Sequence, residues 1–103
     1  MVTLSGISQG DILKIEQIQY PILVVSKDYF NEHGQIIACP IFTNSSVGSL
    51  HVWIEAEAIT GYVQCEKLAL LDLSVRGYRM LGSIELSDRI NISDTIQGIF
   101  DYM

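Results

Sequence analysis

A chain of 103 residues with 12 acidic and six basic groups has a net charge of −6 and a pI near 4.6. That balance excludes a protein that coats nucleic acid by charge alone, because such binding comes from Lys and Arg neutralising phosphates. The length fits one domain, 1–103, and the 49% hydrophobic content with mean hydropathy +0.31 exceeds what so small a core needs, which points to a buried partner surface such as that of a homodimer.

In chain order, residues 1–9 are a short mixed lead-in, and Gly10-Asp11 opens the first strand, Ile12 to Glu16. Leu13 and Ile15 lie on one side of it, Lys14 and Glu16 on the other, as a half-buried strand requires. Only Gln17-Ile18-Gln19 separates it from Tyr20-Pro21 and the strand Ile22 to Ser26, which is apolar on both faces and belongs in the middle of a sheet. Lys27 to Gly34 is a polar connection with room for one helical turn, and Gln35 to Phe42 is the next strand. Pro40 lacks an N–H for the ladder, so an edge or a bulge is expected near that strand's end.

Residues 43–48 read as a loop. In Ser49 to Glu55 the residues Leu50, Val52 and Ile54 alternate with His51, Trp53 and Glu55, so a second surface must accept the Trp. After a turn at 56–60, the stretch from Gly61 to Asp72 gives one or two short strands, and Tyr78 to Ile84 the last. Ser87 is placed to cap a terminal helix with Asp88 in its first turn, and Ile92, Ile96, Ile99, Phe100 and Met103 form an apolar stripe directed at the sheet. Five or six short strands and one C-terminal α-helix make the fold mainly β, a small SH3-like antiparallel β-barrel.

Cys39 and Cys65 sit among apolar neighbours without metal-ligand or redox spacing, as inert core thiols do. Polar residues interleave the uncharged stretch 33–54, which excludes a continuous membrane span, and no basic region followed by an apolar run opens the chain, so a cytoplasmic location is expected.

Several short motifs carry a resemblance. Gly10-Asp11-Ile12, Pro21 to Ser26 with Phe30-Asn31, Cys39-Pro40-Ile41, Gly61 to Glu66, and Asp72-Leu73 with Arg76-Gly77 follow in an order and at separations that resemble the PemK/MazF toxins of toxin–antitoxin modules, whose fold is shared with the gyrase poison CcdB. The resemblance implies a homodimer that cleaves single-stranded RNA without metal or other cofactor and is neutralised by a small antitoxin protein. In the implied reaction a base takes the ribose 2′-hydroxyl proton, and a cation or donor meets the charge on the phosphoryl oxygens.

The chain departs from that pattern at telling places. Tyr20 stands before Pro21 where the family has Arg, Ala69 occupies a second Arg position, the first loop is cut to Gln17-Ile18-Gln19, and Thr43 matches with a one-residue slip. The candidate catalytic residues are Asp72, Arg76 and Thr43, and the candidate RNA contacts Tyr20, Arg79, His51 and Lys67. Five of them have a plainer alternative: a solvated turn acid for Asp72, ion pairing with Asp72 or Glu66 for the two arginines, packing against Pro21 for Tyr20, and a surface or interface role for His51. A binding protein of the same fold, inactive as a nuclease and acting on a protein such as gyrase through the tail Ile99-Phe100-Asp101-Tyr102-Met103, is the competing function.

Overall fold

The computed structural model describes residues 6–44 and 47–101, so the expectations for residues 1–5, Ser45, Ser46, Tyr102 and Met103 lie outside the described residues. The elements are β1 (Asp11–Ile15), β2 (Ile22–Val24), α1 (Asp28–Asn31), β3 (Gln35–Phe42), β4 (His51–Glu55), β5 (Thr60–Gln64), β6 (Ala69–Asp72), β7 (Tyr78–Ser83) and α2 (Leu86–Phe100). The described residues thus form a mainly β fold in which one antiparallel sheet, ordered β4-β5-β3-β2-β1-β7 with β6 also on β3, curls into a half-barrel.

Seven strands appear among the described residues against the five or six counted; the stretch 61–72, expected to give one or two, gives two, divided at a turn closed by the Lys67 N–H on the Gln64 carbonyl. Its two halves then pair with the same flank of β3 in succession: β6 with residues 35–38, β5 with Ile41 and Phe42. Pro40 lies between them. The Ile41 N–H points the other way, to the Pro21 carbonyl in front of β2, so the Pro40 nitrogen faces the interval where one neighbour hands over to the other. The residue without a donor sits where β3 has no partner to receive one, and no edge is needed.

Both faces of β2 are buried. Leu23 joins Ile12, Ile41, Val52, Ile54, Val63 and Ile92 in one cluster, while Ile22 and Val24 join Leu13, Ile15, Ile36 and Ala38 in another. Complete burial of each such side chain contributes about 1.5–3 kcal/mol, so the short β2 holds the two clusters to a common backbone. The thiols fall in the first cluster, where burial pushes Cys39 up to about 12 and Cys65 to about 11, too high for ordinary thiolate reactivity.

Two expectations for α2 are corrected. The helix begins at Leu86, with Glu85 as N-cap and no side-chain cap bond, so Ser87 lies inside the first turn; the extended run out of β7 ends at Ile84, whose N–H binds the Gly10 carbonyl, and leaves Glu85 to start the helix. Ile92 is buried and Ile96 partly so, both on the first core cluster, whereas Ile99 and Phe100, in the last turn, are exposed. A cavity of about 380 Å³ remains between Ile96, Phe100 and the strand β2.

Gly61 marks the tightest strand contact. A Cβ there would stand 2.8 Å from the Phe42 carbonyl oxygen and 3.1 Å from its carbon, both backbone atoms of the paired strand. We expect Gly61→Ala to lower unfolding free energy by about 2 kcal/mol through overpacking, read as a reduced urea midpoint at unchanged slope.

Candidate functional site

The register of β3, β5 and β4 sorts their side chains by face. Ile41, Val63 and Val52 are mutual partners and turn into the first core cluster; Phe42, Tyr62 and Trp53, the next partners along, turn to the opposite face. Trp53 and Tyr62 meet edge to face with ring centroids 4.9 Å apart. At the other end Tyr20 tilts against Phe42 at 4.8 Å. The result is a row of four rings, Tyr20, Phe42, Tyr62 and Trp53, crossing the sheet on its uncovered face, with Trp53 still 45% exposed. Such ring pairs add about 0.5–1.5 kcal/mol beyond burial.

Polar groups border the row. The Lys67 ammonium stands 5.4 Å over the centre of the Phe42 ring. The Trp53 indole N–H donates to Glu55 Oε1 at 3.1 Å. His51, two residues before Trp53 and opposite Gln64, shares the face, and its Nε2 lies 3.0 Å from Glu66 Oε2. A carboxylate only accepts, so Nε2 carries the proton and donates; that bond is the chief reason the Glu66 carboxyl lies below its ordinary range. Beside Tyr20 and Lys67 a pocket of about 250 Å³ is floored by Ile22, Ala38 and Pro40 and walled by Ile18 and Ala69.

The sequence candidates divide. Tyr20, Lys67 and His51 come together along the row, and Thr43 follows Phe42 in an exposed turn at its edge. Asp72 ends β6, where its Oδ1 accepts from the Ser74 N–H at 2.9 Å and the Ser74 hydroxyl at 2.5 Å; those bonds hold its carboxyl below the usual range and commit it to the turn. Arg79 lies on β7 opposite Lys14, on the face turned away from Leu13 and Ile15, and Arg76 is exposed in the loop before it. Among the described residues neither arginine forms an ion pair, so pairing with Asp72 or Glu66 is not what occupies them. The geometry places Asp72, Arg76 and Arg79 outside the row.

Phe42, Tyr62 and Glu66 complete the surface and were not singled out from the sequence. The available signal was the alternation of His51, Trp53 and Glu55; what it met across the sheet depended on a register that one sequence does not print. As chemistry, the row offers flat apolar faces for stacking, one mobile cation, and a carboxylate-held imidazole. Among the described residues no helix is long and apolar enough to cross a membrane.

A family model described as PemK-like, MazF-like toxin of type II toxin-antitoxin system matches residues 9–100. Among solved structures, MazE-MazF from Deinococcus radiodurans superposes with a TM-score of 0.83 at 18% identity, covering 91% of this chain and 95% of that one. An endoribonuclease in complex with its cognate antitoxin from a Mycobacterial species gives 0.80 at 19% identity, over 92% and 95% of the two chains. The Mycobacterium tuberculosis toxin MazF-mt6 gives 0.71 at 18%, over 89% and 98%. No curated protein sequence matches the chain.

Proposed function

The chain belongs to the PemK-like, MazF-like toxins of type II toxin–antitoxin systems, and from that premise we propose that it is an endoribonuclease that cuts single-stranded mRNA in the cytoplasm. The observation that carries this reading is the aromatic row with Lys67 above it. Unpaired bases stack on aromatic side chains for about 1–3 kcal/mol each, without needing a particular sequence, and a lysine beside them meets the phosphate between two stacked bases. A stacking surface suits a chain of net charge −6, which cannot hold RNA by long-range attraction.

Cleavage on this surface follows from attack by the ribose 2′-hydroxyl on the adjacent phosphorus. Lys67 is the cation placed to meet charge growing on the phosphoryl oxygens; Ala69 has no side-chain donor, and Tyr20 offers a neutral hydroxyl where the family has Arg. Tyr20 and the neighbouring pocket hold the flanking nucleotide, and Thr43 borders the path. Two partners complete the proposal. A homodimer covers apolar groups left exposed at the β7 side, among them Val75, Tyr78 and Met80. A cognate antitoxin neutralises the chain, as MazE accompanies MazF in the Deinococcus structure.

Incubating the purified chain with a labelled single-stranded RNA should give discrete fragments bearing 2′,3′-cyclic phosphate and 5′-hydroxyl ends, in the presence of EDTA as in its absence. Intact RNA in vitro, together with intact transcripts during growth arrest on induced expression, would eliminate the nuclease; gyrase recovered on the arrested cells' tagged chain would put a protein target in its place.

A further inference from the structure

The cavity of about 380 Å³ between α2 and β2 lies on the face of the sheet that carries the first core cluster, away from the aromatic row. Its size falls among small-molecule sites, which span about 300–1,000 Å³. Leu23, Ile84 and Ile92 form its buried floor, and Val25, Leu68 and Ile96 its half-buried walls. The polar groups among them are mostly spoken for: the Ser26 hydroxyl donates to Asn31, the Gln9 amide to the Val25 carbonyl at 2.8 Å, and the Gln97 amide to the Ser93 hydroxyl at 3.3 Å. Such a lining favours an alkyl chain over a base or a sugar, whose polar edges would lose water without regaining partners.

Arg89 is the exception. It borders the cavity and, together with Gln9, a second opening of about 300 Å³ beside Lys27, Asp28 and Tyr29. Its stem is pinned against Gly10, where a Cβ would stand 2.5 Å from Arg89 Cδ. Its Nε is buried with no hydrogen-bond partner, and among the described residues its guanidinium forms no ion pair; an unmet donor on a buried charged group is costly to keep. The neighbouring acids do not meet it. Asp28 accepts from the Gln9 N–H at 3.0 Å and the Ser8 hydroxyl at 3.2 Å, Asp11 accepts from the Ser8 N–H at 2.7 Å and feels Arg89 only through space, and Asp94 on α2 is solvent-exposed. With those acids around Arg89 and Lys27, the mouth suits a single negative charge and opposes a dianion. A carboxylate has that charge, and its two oxygens match adjacent guanidinium N–H groups.

We propose that this cavity binds a fatty carboxylate, with the carboxylate on Arg89 at the mouth and the alkyl chain along Leu23, Ile92 and Ile96. The ligand supplies the partner that the Arg89 Nε lacks and covers the apolar walls in one act. The site is on the opposite face of the sheet from the row, so it stands or falls independently of the ribonuclease reading.

The test is calorimetric titration of the full chain with decanoate, kept below its micelle concentration, and with decanol, which has the same chain and no charge. Decanoate should bind one per chain, and decanol about 10-fold or more weakly, since it cannot make the charge-assisted pair. Arg89→Met keeps an apolar stem over Gly10 and should weaken decanoate about 10-fold or more while leaving decanol within about threefold. Ile96→Trp fills the cavity and should abolish binding of both. Each variant is first checked for a cooperative melting curve, and the comparison of the two ligands on the unaltered chain needs no variant at all. The proposal is overturned if decanoate does not bind, if it binds no tighter than decanol, or if folded Arg89→Met or folded Ile96→Trp binds it as the unaltered chain does; the last two results would place it on some other apolar surface.

Discussion

Lys67→Met is expected to slow RNA cleavage by about 100-fold or more while leaving the fold in place. Withdrawing a single preorganised donor from a site of developing negative charge costs on the order of 100- to 1,000-fold, and among the described residues no other Lys or Arg stands on the row. The Lys14 ammonium is taken up by the carbonyls of Ile15 and Ile18, and Arg76 and Arg79 lie off the row. Met keeps an apolar stem over Phe42, so the change in stability is confined to the lost cation–π contact, about 0.5–1 kcal/mol at an exposed ring. Saturating-RNA rates and urea midpoints on the same preparations separate the two effects. Cleavage at the unaltered rate would exclude Lys67 from the chemistry, and Lys67→Arg should recover most of what Lys67→Met loses.

Asn31→Leu should be the most destabilising single change at a polar residue, about 3 kcal/mol. Asn31 has no exposed surface. Its Oδ1 accepts from the Ser26 hydroxyl at 2.5 Å, and its Nδ2 donates to the carbonyls of Ser26 at 3.2 Å and Ile7 at 3.4 Å. The Ser26 hydroxyl oxygen in turn accepts the Ile37 N–H at 3.0 Å. Leucine fills similar space but strands two carbonyls and a hydroxyl in the interior, each at a cost of about 1–3 kcal/mol before relaxation. For a chain of this size the melting temperature should fall by roughly 12–20 °C. A loss under about 1 kcal/mol in urea unfolding would mean that water reaches the network. Ser26→Ala and the double variant should be less than additive, since both break the same cluster.

That network explains why the fold was legible. The Pro21 to Ser26 stretch with Phe30-Asn31 identifies the family, and in the structure Ser26 and Asn31 tie α1 to β2 and β3. Gly61 admits β5 against Phe42, and Gly10, at φ +97°, lies under the stem of Arg89. The motifs are marks of construction, and they stand in this chain although Tyr20 and Ala69 occupy the positions where the family has Arg. Alternation gave β1 and β4, an apolar run bounded by turn residues gave β3, and the spacing of Ile92 and Ile96 gave the buried part of α2.

The site was less legible, for a physical reason. Tyr20, His51 and Lys67 were visible singly, but what joins them is a ladder through Phe42, Tyr62 and Trp53 that depends on which residues face each other across three strands. Asp72 was a candidate through the family motif, with a solvated turn acid as the plainer alternative; its bonds to Ser74, two residues on, close a turn. The reach of α2 was overread because an apolar stripe does not reveal how far along it the packing extends.

The interval at Pro40 gives the sheet a seam. On that flank β3 pairs as two half-strands end to end, one with β6 and the other with β5, and Pro40 at the junction has no N–H to donate to either. The pairing of β6 with β3 and the pairing of β5 with β3 are thus separate ladders, and the register that aligns Phe42, Tyr62 and Trp53 belongs to the second. The seam separates the strands that carry the rings from the strand that ends at the Asp72 turn, and the turn 65–68, with Glu66 and Lys67, is the one link between them along the chain.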